Sequence, residues 1–465
     1  MVARSTLVGL ACAFVLCGCG GSPTSRATGD AAQYVNDLNN ATTPDDVNKA
    51  AESLYACGPR AIDPILNALG EYDSKNKPEL VAVLSAIPDP STPALLARQL
   101  QSRDPKVRAQ ACYGLSFYPK GQPFQVAPLL TRKINSDREW GLYVLARSKN
   151  VNRLEYLLAG LKDEDVTVRA IAARGLRDFP GASTVKLLTP LVDAKDEMLS
   201  GEALISLARI DPNNPLVAKK LAIIFGNLKN ADVGAKQDVA QFLGETNHPL
   251  AETLLAKMMS DPDPRVRTAA AQGYSRMGKI KDPEPLVNAL GKDPDMSVRV
   301  AVAKAASKLN VDEIMQPLNA MLIGKDSNLK KLASETLPTM RTLTSVFPLI
   351  MIDRDAKRLE FRREAAIGMS NHGMIGHTYG EIDKIIRLSE SKNVEERLQA
   401  AECLGKMEGP RYYVAVTRLE RDDDPQVRLA AMDAYKRQMG YPRILPKIVD
   451  KPQPSWLDFP RFRDK

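Results

Sequence analysis

Histidine is nearly absent from this chain: three occur in 465 residues, each followed by Pro249, Gly373 or Thr378. No helix-borne histidine pair of the metalloprotease kind can be drawn from them, and the His372/His377 spacing matches no zinc pattern. Aromatic residues reach only 5%, with two tryptophans, so a core must be built from Ala, Leu, Val and Ile. Small aliphatic side chains suit close helix–helix packing. There is no Walker-type loop, no dinucleotide fingerprint and no Cys-x-x-Cys pair. Gly273-Tyr-Ser275 looks faintly like a nucleophile elbow, but no strand precedes it and its second glycine, Gly278, is one residue too far. Neither catalysis nor a bound cofactor or metal is expected.

Charge of one sign is also missing. The 64 basic and 56 acidic residues leave a net +8, but the positive side chains are spread along the chain rather than gathered into a patch. A nucleic-acid partner is therefore not expected. After residue 19 no apolar run approaches the ~20 residues of a membrane span.

The first nineteen residues read as an export signal. Arg4 supplies the positive end and Ser5 to Leu16 a short apolar stretch, followed by Leu16-Cys17-Gly18-Cys19. That tetrapeptide resembles the lipobox of bacterial lipoproteins, with Cys17 where Ala or Ser is usual. The resemblance implies removal of residues 1–18, lipid on Cys19, and an exported protein anchored to the cell membrane or outer membrane. A flexible tether is expected over 19–32. Cys57, Cys112 and Cys403 would then remain, and they read as buried small hydrophobes.

What the sequence has in abundance is a repeat. Asp104-Pro-Lys-Val-Arg108, Asp263-Pro-Arg-Val-Arg267, Asp295-Met-Ser-Val-Arg299 and Asp424-Pro-Gln-Val-Arg428 are its clearest copies, and Asp165 with Arg169 is another. Setting the Arg position to zero gives thirteen anchors: Val47, Lys77, Arg108, Arg138, Arg169, Ser200, Lys236, Arg267, Arg299, Lys330, Arg362, Arg397 and Arg428. Ten of the twelve intervals are 30–32 residues, and eleven anchors are basic, which chance does not produce. Position −4 is Asp in nine repeats, including Asp73, and suits a helix N-cap; Pro at −3 suits the first turn. Apolar residues at −1, +3 and +7 form one stripe of a helix. The anchor cation can reach a carboxylate of its own or the adjacent repeat, so a row of such pairs is expected to align the stack. A second helix precedes each anchor.

The Asp-x-x-Val-Arg, Ala and Leu positions resemble HEAT repeats of the short subtype named after phycobilisome-linked bilin lyases, over about residues 33–450. The resemblance implies an all-α, right-handed α-α superhelix of about thirteen helix pairs, with the anchor helices lining its concave side. Relatives that hydroxylate deoxyhypusine present His-Glu pairs to iron, and this sequence has none.

Under this register position +5 points into the concavity. Tyr113, Tyr143 and Arg174 occupy it early and are the candidate groove for another protein, which would make the chain a membrane-tethered scaffold. An enzyme or cofactor-binding protein is the alternative, through the Gly-rich 370–381 loop with His372, His377 and Glu381. The last segment, 451–465, breaks the repeat with Trp456, Phe459 and Phe462, either as a cap on the last repeat or as a docking peptide.

Overall fold

The protein is described here by a computed structural model that covers residues 23–71, 76–118, 123–149, 151–246, 248–340, 359–371, 379–407 and 412–441. Cys19, Asp73, His372, His377 and the 451–465 tail lie outside these residues, as do the side chains of Arg362 and Glu381.

Within them there are helices and no strand. In chain order the first twelve α-helices are α1 Pro23–Asn40, α2 Pro44–Tyr55, α3 Ile62–Gly70, α4 Lys77–Ala86, α5 Thr92–Gln99, α6 Pro105–Leu115, α7 Asn135–Arg147, α8 Leu154–Gly160, α9 Val166–Gly175, α10 Ala182–Leu188, α11 Glu197–Ile210 and α12 Pro215–Gly226. The rest are α13 Val233–Thr246, α14 Pro249–Met258, α15 Pro264–Arg276, α16 Glu284–Lys292, α17 Met296–Leu309, α18 Met315–Ile323, α19 Ser327–Thr336, α20 Leu359–Asn371, α21 Tyr379–Leu388, α22 Val394–Lys406, α23 Tyr413–Leu419 and α24 Pro425–Met439. Each anchor falls on its own helix: α2, α4, α6, α7, α9, α11, α13, α15, α17, α19, α20, α22 and α24. These anchor helices form the inner row, each packed on the next, for example α6 on α7, α13 on α15 and α22 on α24. The chain is an all-α solenoid.

The helices start where their caps permit. Thr43, Asp104, Asp165, Asp196, Asp263, Asp295, Asp326, Asn393 and Asp424 each accept a hydrogen bond from a backbone N–H in the first turn. This satisfies donors that a helix end otherwise leaves open.

The inner helices approach to backbone contact at one junction. A Cβ on Gly273 of α15 would sit 2.5 Å from the Ala240 oxygen of α13, and one on Gly244 only 2.3 Å from the Gly273 oxygen. Gly273 is thus a packing glycine of the helix core and not part of a nucleophile elbow.

Helix α1 begins at Pro23, within the stretch 19–32 expected to be a tether, and its Ala31, Val35 and Leu38 recur at helical spacing and are buried on the first repeat. The row of helices also returns on itself. Arg428 donates from Nε to the Ala56 oxygen at 3.1 Å, and Arg60 Nη2 to the Glu420 oxygen at 3.4 Å. Lys436 Nζ donates to the Tyr55 hydroxyl and lies 4.6 Å from that ring's centre. Met432 joins the apolar core of the first repeats, while its neighbours Ala431 and Ala434 belong to the core of the last ones. Helix α20 likewise supplies Met369 to one core and Ile367 to the other.

Candidate functional site

The inner row presents two sets of polar side chains, one that holds the stack and one that faces the concavity. The first begins with the anchor cations. Arg267 grips Asp293 with two hydrogen bonds, at 2.7 and 2.9 Å. Arg397 grips Asp422 in the same way at 2.6 and 2.9 Å, and Arg138 binds Asp163 at 2.9 and 3.0 Å. Lys236 reaches Asp261 at 2.8 Å. In all four the acceptor stands at position −6 of the following repeat. Arg108 meets Arg132 at that place and turns instead to Asp137, at 2.8 Å from both ends of its fork. Arg169 and Arg299 face Ala194 and Gly324 there, and they donate to backbone carbonyls of Asp163, Glu164 and Asp293.

The ladder therefore exists, but the Asp residues at −4 are not its rungs. Asp104, Asp165, Asp263, Asp295 and Asp424 cap helices, and the carboxylates that pair are Asp137, Asp163, Asp261, Asp293 and Asp422. The signal was present in the sequence as Asp at −6, only where the preceding anchor is basic. Each of the four −6 carboxylates has a second task that fixes its orientation: Asp163, Asp261, Asp293 and Asp422 accept from the backbone N–H two residues on. Burial alone would raise the Asp293 carboxyl. The Arg267 hydrogen bond, the Asp295 N–H and the Arg267 charge together outweigh it and hold the group below the ordinary carboxylate range.

The concave row divides into two halves, with one exception in each. Early in the chain position +5 is buried at Ala82, Tyr113, Tyr143 and Ile205, all at most 9% exposed, and exposed at Glu52. Later the same position is open to solvent at Gln272, Lys304, Glu335, Glu402 and Asp433, and buried at Ile367. The expectation that Tyr113 and Tyr143 project outward is thus corrected. Both rings pack edge-on against Trp140, at 6.2 and 5.5 Å, and Trp140 itself is 1% exposed. Arg174, half-buried, sits 5.8 Å over the Tyr143 ring, and Arg147 lies 5.4 Å from the Phe117 ring and 5.6 Å from Tyr143. The three candidates Tyr113, Tyr143 and Arg174 do come together, through Trp140, in an interleaved aromatic and cationic patch. Sequence reading had missed Trp140 because it stands at +2, a flank position.

In the open half, α17 and α19 spread apart over a cleft of about 690 Å³. Val300, Ala303 and Leu332 give it an apolar floor, Ser307 and Thr339 meet across it at 2.6 Å, and the exposed Lys304, Lys308 and Glu335 stand at its edge. The volume lies within the ~300–1,000 Å³ of ordinary ligand and side-chain pockets. Further along the row Arg209 and Arg276 flank Glu245, at 3.3 and 3.6 Å, so those cations are already paired. Cys57, Cys112 and Cys403 are buried and stand in no disulfide, and burial pushes the Cys112 thiol well above its ordinary range. The described residues contain no helix long and apolar enough to cross a membrane.

Residues 154–235 and 226–307 match the family of HEAT repeats. No curated protein matches the chain. Among solved structures it is similar to human deoxyhypusine hydroxylase in complex with glycerol, at 13% identity over 53% of this chain and 95% of that one, with a TM-score of 0.24. It is similar also to the complex of CpcE and CpcF of phycocyanin lyase from Nostoc sp. PCC7120, at 15% identity over 60% of this chain and 94% of that one, TM-score 0.23. Kap121p bound to Nup53p aligns at 12% identity over 89% of this chain, TM-score 0.31, and the chain spans 53% of that protein. Residues 154–307 thus match HEAT repeats, and the described residues on either side continue the same helix-pair register as an α-solenoid.

Proposed function

We propose that this solenoid is a protein-binding scaffold of the short HEAT subtype, carried at the surface of a cell-envelope membrane by lipid on Cys19. The α17/α19 cleft, in the open half of its concavity, is the binding face. The observation that carries the binding reading is the contrast along one register position, closed at Tyr113 and Tyr143 and open at Lys304 and Glu335. A scaffold needs a rigid frame and a solvated face. The anchor ladder supplies the first and the cleft the second. Exposed lysines beside an apolar floor favour a partner segment with apolar and acidic side chains in alternation.

The test is capture in intact cells with a photo-crosslinking residue at position 308, followed by the Lys304→Glu/Lys308→Glu double variant. A discrete crosslinked protein is expected from the parent chain, and the charge reversal is expected to lower its yield at least several-fold without loss of helicity. No adduct above background, or an adduct indifferent to the reversal, removes the cleft as the binding face. In the same cells Cys19→Ser is expected to move the protein from the membrane to the soluble fraction.

A further inference from the structure

We infer that the chain's own C-terminal segment, residues 442–465, docks along the aromatic concave patch of α6, α7 and α9. That patch is the closed half of the concavity. Three observations meet there. The first is a buried aromatic cluster on the inner helices: Tyr113 and Tyr143 are 9% and 7% exposed at +5, where most later repeats carry side chains open to solvent, and both pack on Trp140, itself 1% exposed. The second is where the last described helix ends. Helix α24 crosses the first repeat through Arg428, Met432 and Lys436, and it stops at Gly440 in the left-handed conformation with φ of 70°. Tyr441 then stacks on Tyr435 at 5.8 Å and adds to the burial that pushes the Tyr118 phenol above its ordinary range. Tyr118 stands three residues beyond the end of α6, the helix that carries Tyr113. The chain is therefore delivered to the edge of the patch.

The third observation is the composition of the segment beyond Tyr441. Residues 442–465 contain five prolines and three of the chain's few large aromatics, Trp456, Phe459 and Phe462. Proline at that density excludes a helix or a paired strand and favours an extended segment. At ~3.1 Å per residue such a segment reaches roughly 70 Å, and crossing three inner helices at ~10 Å spacing uses less than half of it. Aromatic-lined grooves bind extended proline-rich segments because little conformational entropy is lost on docking. Two docking surfaces then belong to one concavity, one filled by the chain itself and one left for a partner. The docking of the tail stands or falls independently of what the cleft binds.

The chain has two tryptophans, Trp140 and Trp456, so Trp456→Phe leaves a single reporter in the patch. In that background the full chain is expected to show blue-shifted emission and little quenching by acrylamide. Ending the chain at Tyr441 is expected to red-shift the emission and raise the quenching constant several-fold with helicity retained, and a synthetic 442–465 peptide is expected to reverse both. Unchanged emission and quenching in the shortened, folded chain overturn the inference. If shortening lowers helicity, Phe459→Asp/Phe462→Asp in the full-length Trp456→Phe chain decides by the same two readouts. Shielding of Trp140 that disappears on dilution overturns it too, since the segment would then come from a second copy.

Discussion

At the scale of single residues the ladder separates two roles that one amino acid plays six and four places before each anchor. Asp at −4 accepts N–H groups of its own helix. Asp at −6 faces the preceding repeat and receives its cation. Burying a carboxylate is costly unless the charge is paired and its remaining lone pairs are filled. Asp293 meets both conditions, with the Arg267 fork on one side and the Asp295 N–H on the other, its side chain only 5% exposed. Asp293→Ala is therefore expected to destabilise the protein by about 3 kcal/mol, read by urea unfolding, because it leaves the largely buried guanidinium without its carboxylate. Asp295→Ala removes only a cap and is expected to cost about 1 kcal/mol. The pH dependence has a definite sign. Asp163, Asp293 and Asp422 are all held below their ordinary range, so their contribution is present above about pH 4 and is lost as pH falls through the lowered values. Asp293→Asn is expected to flatten the acid limb of stability against pH. A limb unchanged by that substitution assigns acid unfolding to other groups.

At the scale of helices most of the fold was legible in the amino-acid pattern alone. Asp at −4 marked nine of the thirteen starts, the −1, +3, +7 stripe marked the buried side, and thirteen anchors fell on thirteen helices because both signals are local. The rungs were harder to read, since a bidentate contact between repeats leaves only a faint correlation, Asp163, Asp261, Asp293 and Asp422 each following a basic anchor. Burial of Tyr113 and Tyr143 was not legible at all. Helical periodicity assigns the two rings one register position, and it does not say that both pack edge-on against Trp140 there. Gly273 stands at +6, where α15 meets α13. A Cβ there meets the Ala240 oxygen at 2.5 Å and Leu255 Cδ2 at 2.8 Å, and backbone cannot yield as a flexible side chain does. Gly273→Ala is expected to cost about 1–3 kcal/mol by forcing α13 and α15 apart, despite the better helix propensity of alanine. Gly226, with open space around its Cβ, is the control, and Gly226→Ala is expected to be neutral or stabilising in the same unfolding measurement.

At the scale of the whole molecule the question is what a returning solenoid gains. An open repeat array has two ends that must be capped, and it unfolds in units that need only their neighbours. Here the last inner helix lies on the first repeat, Met432 fills a space beside Gly58, whose φ of 61° favours glycine, and Lys436 is buried against Tyr55. The ends cap one another. Glu420 stands at this seam: its backbone oxygen accepts from Arg60, and burial pushes its carboxyl up to about 7, with Arg421 and Arg60 only partly offsetting the rise. A carboxyl whose folded value is raised contributes stability that is complete below its ordinary range, about pH 4, and is lost as pH climbs through 7. The seam is therefore expected to be tighter at pH 5 than at pH 8. Hydrogen exchange of the amides of 55–60 and 425–436 measures this directly, and protection there is expected to fall with rising pH, after correction for the intrinsic rate, while that of α13 and α15 stays constant. Glu420→Gln, which cannot ionise, is expected to hold the seam at its low-pH protection across the range. Equal loss of protection in α13 and α15 would mean that the whole array loosens together, and the seam would then be a consequence of the fold rather than its adjustable joint.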